Sequence, residues 1–115
     1  MHELAITESV ISAVSEKVGS RRVRRVSLAV GRLSGVVAES VFFYYDLCSE
    51  GTVLEGSKLE IIDIPGRARC RTCGTELDLE DMIALCTCGS ADLQILGGEE
   101  LTIKEVELEA EEVGT

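Results

Sequence analysis

Two pairs of cysteines constrain the fold of this chain more than any other feature of its sequence. Cys70 and Cys73 lie in CRTCG, Cys86 and Cys88 lie in CTCG, and twelve residues separate Cys73 from Cys86. Four thiolates in two close pairs form the soft tetrahedral ligand set that a structural zinc ion prefers. Glycine follows each pair, where a residue without a Cβ lets the backbone turn tightly against the sulfurs. The sequence therefore predicts a four-cysteine zinc site.

The second pair departs from the usual zinc-ribbon spacing, because one residue rather than two separates Cys86 from Cys88. Both sulfurs can still reach one ion if the backbone adjusts, and no histidine lies nearby to replace either of them. A redox dithiol at Cys70 and Cys73 is an alternative, although the strand and helix expected around a thioredoxin-like site are missing. Disulfide bonds are the least favoured interpretation, because the sequence has no export signal.

Length and charge limit the remaining possibilities. A chain of 115 residues can build one modest core, but a metal-binding insert within it would be too small to fold by apolar burial alone. Its 21 acidic and 11 basic residues give a formal net charge of −10, which argues against nucleic acid and favours a protein partner. Residues 1–20 lack a signal-peptide pattern, and no run of about 18 apolar residues occurs. We therefore expect a cytoplasmic protein without a membrane partner.

Apolar periodicity predicts two helices. The first covers residues 4–18 and is followed by Gly19, a typical helix end. The second runs from Val37 to Cys48 and is expected to carry most of the aromatic residues on its apolar face. Cys48, the odd cysteine, is predicted to be a small buried hydrophobic residue rather than a reactive thiol. The predicted inward-facing residues are Leu4, Thr7, Val10, Ile11, Val14 and Val18 in the first helix and Val37, Val41, Tyr44, Tyr45 and Cys48 in the second.

Three strands are predicted outside the cysteine segment. Residues 23–30 alternate apolar and polar side chains, which indicates a strand with one buried face. Residues 58–64 are rich in β-branched side chains, and residues 101–108 form the third strand. In this last strand the inward positions begin at Leu101 and then change phase, which predicts a β-bulge near Lys104 and Glu105.

The order of these elements predicts an α+β fold, with two helices on a small three-stranded sheet that is interrupted by an inserted zinc-ribbon-like module. Pro65-Gly66 and Gly97-Gly98 mark the two ends of the insert. We expect residues 1–64 and 99–115 to form one α/β domain, and residues 65–98 to form the zinc-binding module.

One basic cluster precedes and enters the first predicted strand. It consists of Arg21, Arg22, Arg24 and Arg25. The cluster has no interleaved aromatic residues and lies in an acidic chain, so we expect a solvated strand edge. A zinc-ribbon regulatory module that binds nucleic acid through these arginines is the alternative function.

The amino terminus, Met1-His2-Glu3, offers a second set of metal ligands. A histidine at position 2 places the terminal amine, its own backbone amide and its imidazole in chelating sequence. Such a nitrogen-rich planar set suits nickel(II) or copper(II). The bulky His2 should also prevent removal of the initiator methionine, and Glu3 offers an oxygen for a further coordination position.

Together these features resemble the HypA/HybF family of nickel metallochaperones, which act in the maturation of NiFe hydrogenases. The resemblance is carried by MHE at the start, GRLSGV after the first strand, EGSKLEI before the second, and the CxxCG and CGS pairs, and it covers essentially the whole chain. It implies that Met1, His2 and Glu3 bind nickel, and that the four cysteines bind structural zinc. The domain of residues 1–64 and 99–115 would then be the nickel-binding one.

The resemblance also implies a function without catalysis. The chain would bind nickel transiently and pass it, with a partner GTPase, to the hydrogenase large subunit; urease maturation proteins are further candidate partners. The sequence has no phosphate-binding glycine loop and no pairing of nucleophile and base, so nucleotide hydrolysis would come from the partner. A thiol-disulfide protein remains the alternative of a third class.

Overall fold

The computed structural model describes residues 3–80 and 84–110. These residues form two helices and six strands, and the predicted α+β class is confirmed. In chain order the elements are α1 Glu3–Val18, β1 Val23–Gly31, α2 Ala38–Ser49, β2 Lys58–Ile64, β3 Gly66–Cys70, β4 Glu76–Leu79, β5 Leu93–Gly97 and β6 Leu101–Leu108.

The strands form two sheets of three strands each. One sheet has the order β2-β1-β6, and the other has the order β4-β3-β5. The chain also divides into two compact units. The first contains the residues up to Leu28, Val37–Ile61 and the residues from Ile103 onwards, and the second contains Ala29–Val36 and Ile62–Thr102. The second unit therefore includes residues 29–36 as well as the cysteine segment.

Helix α1 packs against α2 and buries one stripe of side chains. The buried residues of α1 are Thr7, Val10, Ile11 and Val14. The prediction that Leu4 faces inward is wrong, because Leu4 is exposed and Ile6 is half-buried instead. The Thr7 hydroxyl can be buried because it donates a hydrogen bond to the Glu3 carbonyl at 2.7 Å.

Helix α2 starts one residue later than predicted. Val37 is its N-cap and has an extended backbone, so this side chain is exposed and does not share the buried face of the helix. Val41 and Tyr45 are buried as predicted. The prediction that most aromatic residues lie on this face is wrong, because the two tyrosines turn inward whereas Phe42 and Phe43 are exposed.

Strand β1 is buried on both faces from Val26 to Gly31, so the prediction of a single buried face is wrong. The alternation in the sequence comes from Ser27 and Ala29, which are small enough to pack on the second face. A strand between two others in a sheet has no exposed edge. The central position of β1, between β2 and β6, is something that the alternation cannot reveal.

The outer strands of this sheet are less buried than β1. The bounds predicted for residues 58–64 and 101–108 are confirmed. Leu101 is exposed, contrary to the prediction that it faces inward. Lys104 and Glu105 are exposed side by side, as a change of phase requires, and the bulge itself stays a prediction.

In the second sheet, β3 lies between two antiparallel neighbours. Arg67 pairs with Asp78 of β4 and Arg69 pairs with Glu76, and these charged side chains are exposed. The alternate positions of β3 point into a small apolar centre. This centre consists of Leu33, Ala68 and Leu79, with Leu77, Ala84, Leu93 and Ile95 packed against it.

Three glycines allow backbone segments of the second unit to touch. A Cβ on Gly31 would lie 2.0 Å from the carbonyl oxygen of Gly98, and one on Gly98 would lie 2.5 Å from Cα of Gly66. Gly98 also has a φ of 102°, which disfavours any other residue there. This close contact lets the Leu33 amide donate to the Gly98 carbonyl at 2.7 Å, which holds the Leu33 segment within the unit.

Replacing Gly31 with alanine should therefore destabilise the protein, because the new methyl group meets backbone that cannot move aside cheaply. We expect a loss of about 2 kcal/mol or more, measured as the free energy of unfolding in urea. Gly97→Ala is the matched control, because its Cβ would have no neighbour nearer than 3.6 Å. Equal stability of the two variants would contradict this account of the glycine contact.

Candidate metal centre

The four cysteine sulfurs of the second unit converge on one point. Cys70 Sγ lies 3.7 Å from Cys88 Sγ, and Cys73 Sγ lies 3.5 Å from Cys86 Sγ. All four sulfurs lie within 4.8 Å of one another. A tetrahedral ion bound at about 2.3 Å per sulfur holds its ligands about 3.8 Å apart. The cluster therefore has the size and donor chemistry of a tetrahedral metal site.

Each cysteine pair sits on a turn that closes on its own backbone. The Gly74 amide donates to the Cys70 carbonyl at 2.8 Å, and the Gly89 amide donates to the Cys86 carbonyl at 2.8 Å. Both glycines have positive φ values, 80° and 90°. The second turn closes over one residue fewer than the first, so the missing residue shortens the turn instead of displacing Cys88 from the cluster.

Side chains also join the two turns. Thr72 Oγ1 lies 2.9 Å from Ser90 Oγ, within hydrogen-bond distance. The Arg71 amide donates to the Asp92 carbonyl at 2.9 Å, and the Arg71 guanidinium donates to the Asp92 carboxylate at 3.1 Å. The sequence gives no sign of these contacts, because no spacing rule connects positions 18 to 21 residues apart.

The environment of the cluster lowers the pKa of some of its thiols and raises the pKa of another. The backbone amide of Cys73 donates to the sulfur of Cys70 and lowers the pKa of that thiol to about 6, although burial opposes the change. A side-chain hydrogen bond between the sulfur of Cys73 and the Thr75 hydroxyl lowers the pKa of Cys73. A backbone hydrogen bond from Ser90 lowers the pKa of Cys88, but the other thiols outweigh it and raise this pKa to about 11. A cation at the centre would favour the ionised form of all four.

Cys48, the fifth cysteine, lies on α2 in the first unit. It is half-buried rather than fully buried, and desolvation, with a further contribution from Glu8, raises the pKa of its thiol. A thiol that stays protonated is a poor nucleophile. This agrees with the prediction that Cys48 is a packing residue.

The amino-terminal residues predicted to bind nickel are only partly visible. Met1 and His2 lie outside the described residues. Glu3 is the first residue of α1, and its Oε2 atom is enclosed without a hydrogen-bond partner among the described residues. The nickel site therefore stays a prediction.

The arginine cluster does not form a strand edge, because β1 is the central strand of its sheet. The prediction of a solvated edge is wrong for Arg25. Its guanidinium donates to Glu107 at 2.9 Å, to Glu60 at 2.8 Å and to Glu105 at 2.9 Å. The hydrogen bond that Arg25 donates to Glu107 raises the pKa of Arg25, and it lowers the pKa of Glu107.

Other arginines of the cluster are engaged as well. Arg24 lies 3.4 Å from Glu107, and the Arg22 guanidinium donates to the Glu55 carbonyl at 2.7 Å. Phosphate groups would have to compete with these partners. In the described part of the chain, no helix is long and apolar enough to cross a membrane.

Known proteins resemble this chain along most of its length. A family model described as "Hydrogenase/urease nickel incorporation, metallochaperone, hypA" matches residues 1–108. The hydrogenase maturation factor HypA of Trichormus variabilis is 50% identical over 109 residues, which are 95% of this chain and 96% of that protein. The factor of the same name from Geobacter metallireducens is 41% identical over 110 residues, which are 95% of this chain and 100% of that protein.

A solved structure shares the fold. The solution structure of the Ni metallochaperone HypA from Helicobacter pylori matches with a TM-score of 0.64 at 21% identity, over 96% of this chain and all of that one. The fold and the sulfur cluster define the class of this chain as a small α+β metal-binding protein. Within that class, the chain belongs to the HypA family of nickel metallochaperones for hydrogenase and urease nickel incorporation. The family predicted from the sequence is confirmed.

Cys73→Ser should abolish tight metal binding, because three thiolates and a hydroxyl cannot replace the four-sulfur set. We expect the loss of one zinc ion per chain by elemental analysis, with new protease cleavage confined to residues 66–98. Cys48→Ser is the control and should retain the ion. A Cys73→Ser protein that keeps one tightly bound zinc would contradict the four-cysteine site.

Arg25→Gln should make stability less dependent on acidic pH. Because Arg25 lowers the pKa of Glu107, this carboxylate stabilises the folded chain above its ordinary pKa and loses that contribution as the pH falls through the lowered value. The urea midpoint should therefore drop less in Arg25→Gln than in the wild type between about pH 6 and about pH 3. Arg24→Gln removes a single longer contact and a smaller cause of the lowered pKa of Glu107, so it should lie closer to the wild type than Arg25→Gln does.

Proposed function

We propose that this chain binds Ni(II) at its amino terminus and delivers it, with a partner GTPase, to the large subunit of a NiFe hydrogenase during maturation. The observation that carries this proposal is the extent of the family match. It covers residues 1–108, and so includes Met1, His2 and Glu3 together with the four cysteines.

In this proposal Met1, His2 and Glu3 hold the nickel ion as cargo. The terminal amine, the His2 amide and the His2 imidazole supply nitrogen ligands, which suit nickel(II). The enclosed Oε2 of Glu3, which has no partner in the described residues, supports this residue as an additional oxygen ligand. A chelate at a chain end can release its ion without disturbing the core.

The proposed role of Zn²⁺ is structural, with Cys70, Cys73, Cys86 and Cys88 as its ligands. The separations of 3.5 and 3.7 Å between sulfurs support a tetrahedral ion. We assign nickel binding to residues 1–64 with 99–115, and zinc binding to residues 65–98. Four thiolates hold their ion tightly, whereas the terminal site must release its ion. The cysteine site therefore retains zinc, and the terminal site transfers nickel.

The proposed partners are the hydrogenase-maturation GTPase, the hydrogenase large subunit and urease maturation proteins. The chain has no glycine-rich phosphate loop, so the nucleotide chemistry belongs to the GTPase. We place this exchange in the cytoplasm and propose neither nucleic acid nor a membrane as a partner. The carboxylates around Arg25 favour this function over a nucleic-acid-binding zinc ribbon.

The test is a calorimetric nickel titration of the zinc-loaded protein beside two variants. One is His2→Ala, and the other carries a short extension ahead of Met1, which removes the chelating amine while keeping every side chain. Both should weaken nickel binding by about two orders of magnitude or more. Zinc content and the thermal transition should stay near the wild-type values.

Glu3→Gln should weaken nickel binding less than His2→Ala does, because carboxylate oxygen is a harder ligand than imidazole nitrogen. Glu8→Gln, an exposed position on the same helix, is the control and should bind nickel as the wild type does. Wild-type affinity in the extended protein would place the nickel ligands elsewhere and overturn the proposed site.

A further inference from the structure

The outer face of α2 exposes large apolar side chains. Phe43 is 68% exposed and Leu47 is 56% exposed, and the two lie one turn apart on one side of the helix. The Phe43 ring packs edge-on against Tyr44, with the ring centroids 5.2 Å apart. This contact restricts the Phe43 ring without covering it, so the ring would lose little freedom on contact with another protein.

Carboxylates follow the same side of the helix. Glu39 and Asp46 on the helix and Glu50, its C-cap, are exposed, and together with Phe43 and Leu47 they occupy positions i, i+4, i+7, i+8 and i+11. We call these five residues the outer stripe. Helix α2 contains no lysine, arginine or histidine, so its own side chains do not neutralise these charges.

We propose that the outer stripe is the docking surface for a partner protein that presents an apolar groove with lysine and arginine residues along its rim. A helix face with apolar anchors one turn apart matches recognition of a helix in a groove. The three carboxylates would pair with basic residues beside the groove, which fixes the register of the two anchors. The inference rests on the proposed function in one respect, since it identifies this partner with the GTPase or the hydrogenase large subunit.

The charges of the stripe select this occupant over others. In a symmetric pair of copies the same patch faces itself, so carboxylates without cations would meet carboxylates, between chains that each carry a net charge of −10. Nucleic acid and an anionic lipid surface would be repelled for the same reason. A basic protein surface gains from both the apolar anchors and the charges.

The test measures binding of the full-length chain to each of the two immobilised partners from the same organism. The double variant Phe43→Ser with Leu47→Ser should bind at least one of the two partners about tenfold more weakly, because both anchors are lost. Asp46→Lys should also weaken it, and should reduce the loss of affinity that the wild type shows when salt is raised. Leu96→Ser is the matched control, since it removes an exposed apolar side chain from β5, and it should bind as the wild type does.

Other results would overturn the inference. They are wild-type affinity in the double variant, an equal loss in Leu96→Ser, or a double variant that abolishes self-association of the chain, which would assign the stripe to a second copy. A wild-type chain that binds neither protein would also overturn it. The nickel titration does not involve α2, so it tests the proposed nickel site independently of the docking surface.

Discussion

The second unit depends on the contact of backbone with backbone at Gly31, Gly66 and Gly98. Because no side chain intervenes, the segment before α2 can lie close enough to place Leu33 in the apolar centre of this unit. Apolar packing and metal binding would then stabilise different parts of the second unit. The apolar centre holds the small sheet, and an ion would order the two cysteine turns at its end.

Features set by local chemistry could be predicted from the sequence. The spacing of Cys70 to Cys88 predicts the convergence of four sulfurs, and this convergence survives the missing residue because Gly89 closes the shorter turn. Features that depend on neighbours far along the chain could not. The alternation in β1 gives no sign that two strands flank it, and the polarity of GRLSG gives little sign that Leu33 is buried.

Arg25 shows that the partners of a charged residue are equally hard to predict from the sequence. A cluster of arginines in a sequence is ambiguous, because basic residues bind phosphate and carboxylate alike. The carboxylate partners of Arg25 lie 35 to 82 residues away along the chain, so only the sheet order brings them together. Some of the excess carboxylates are thereby paired with arginine within the protein. The carboxylates of α2 have no such cation on their own helix. They therefore belong to the proposed docking surface, whereas the carboxylates around Arg25 belong to an internal network of ion pairs.

The order of strands in the first sheet has a consequence for synthesis on the ribosome. Strand β1 pairs with β6, Leu101–Leu108, so the sheet cannot close until the chain has emerged as far as Leu108. The strands β3, β4 and β5 lie close together in sequence and need no such wait. The nascent chain can therefore complete its cysteine-bearing sheet while β1 still has an unpaired edge, which β6 covers only after it has emerged in turn.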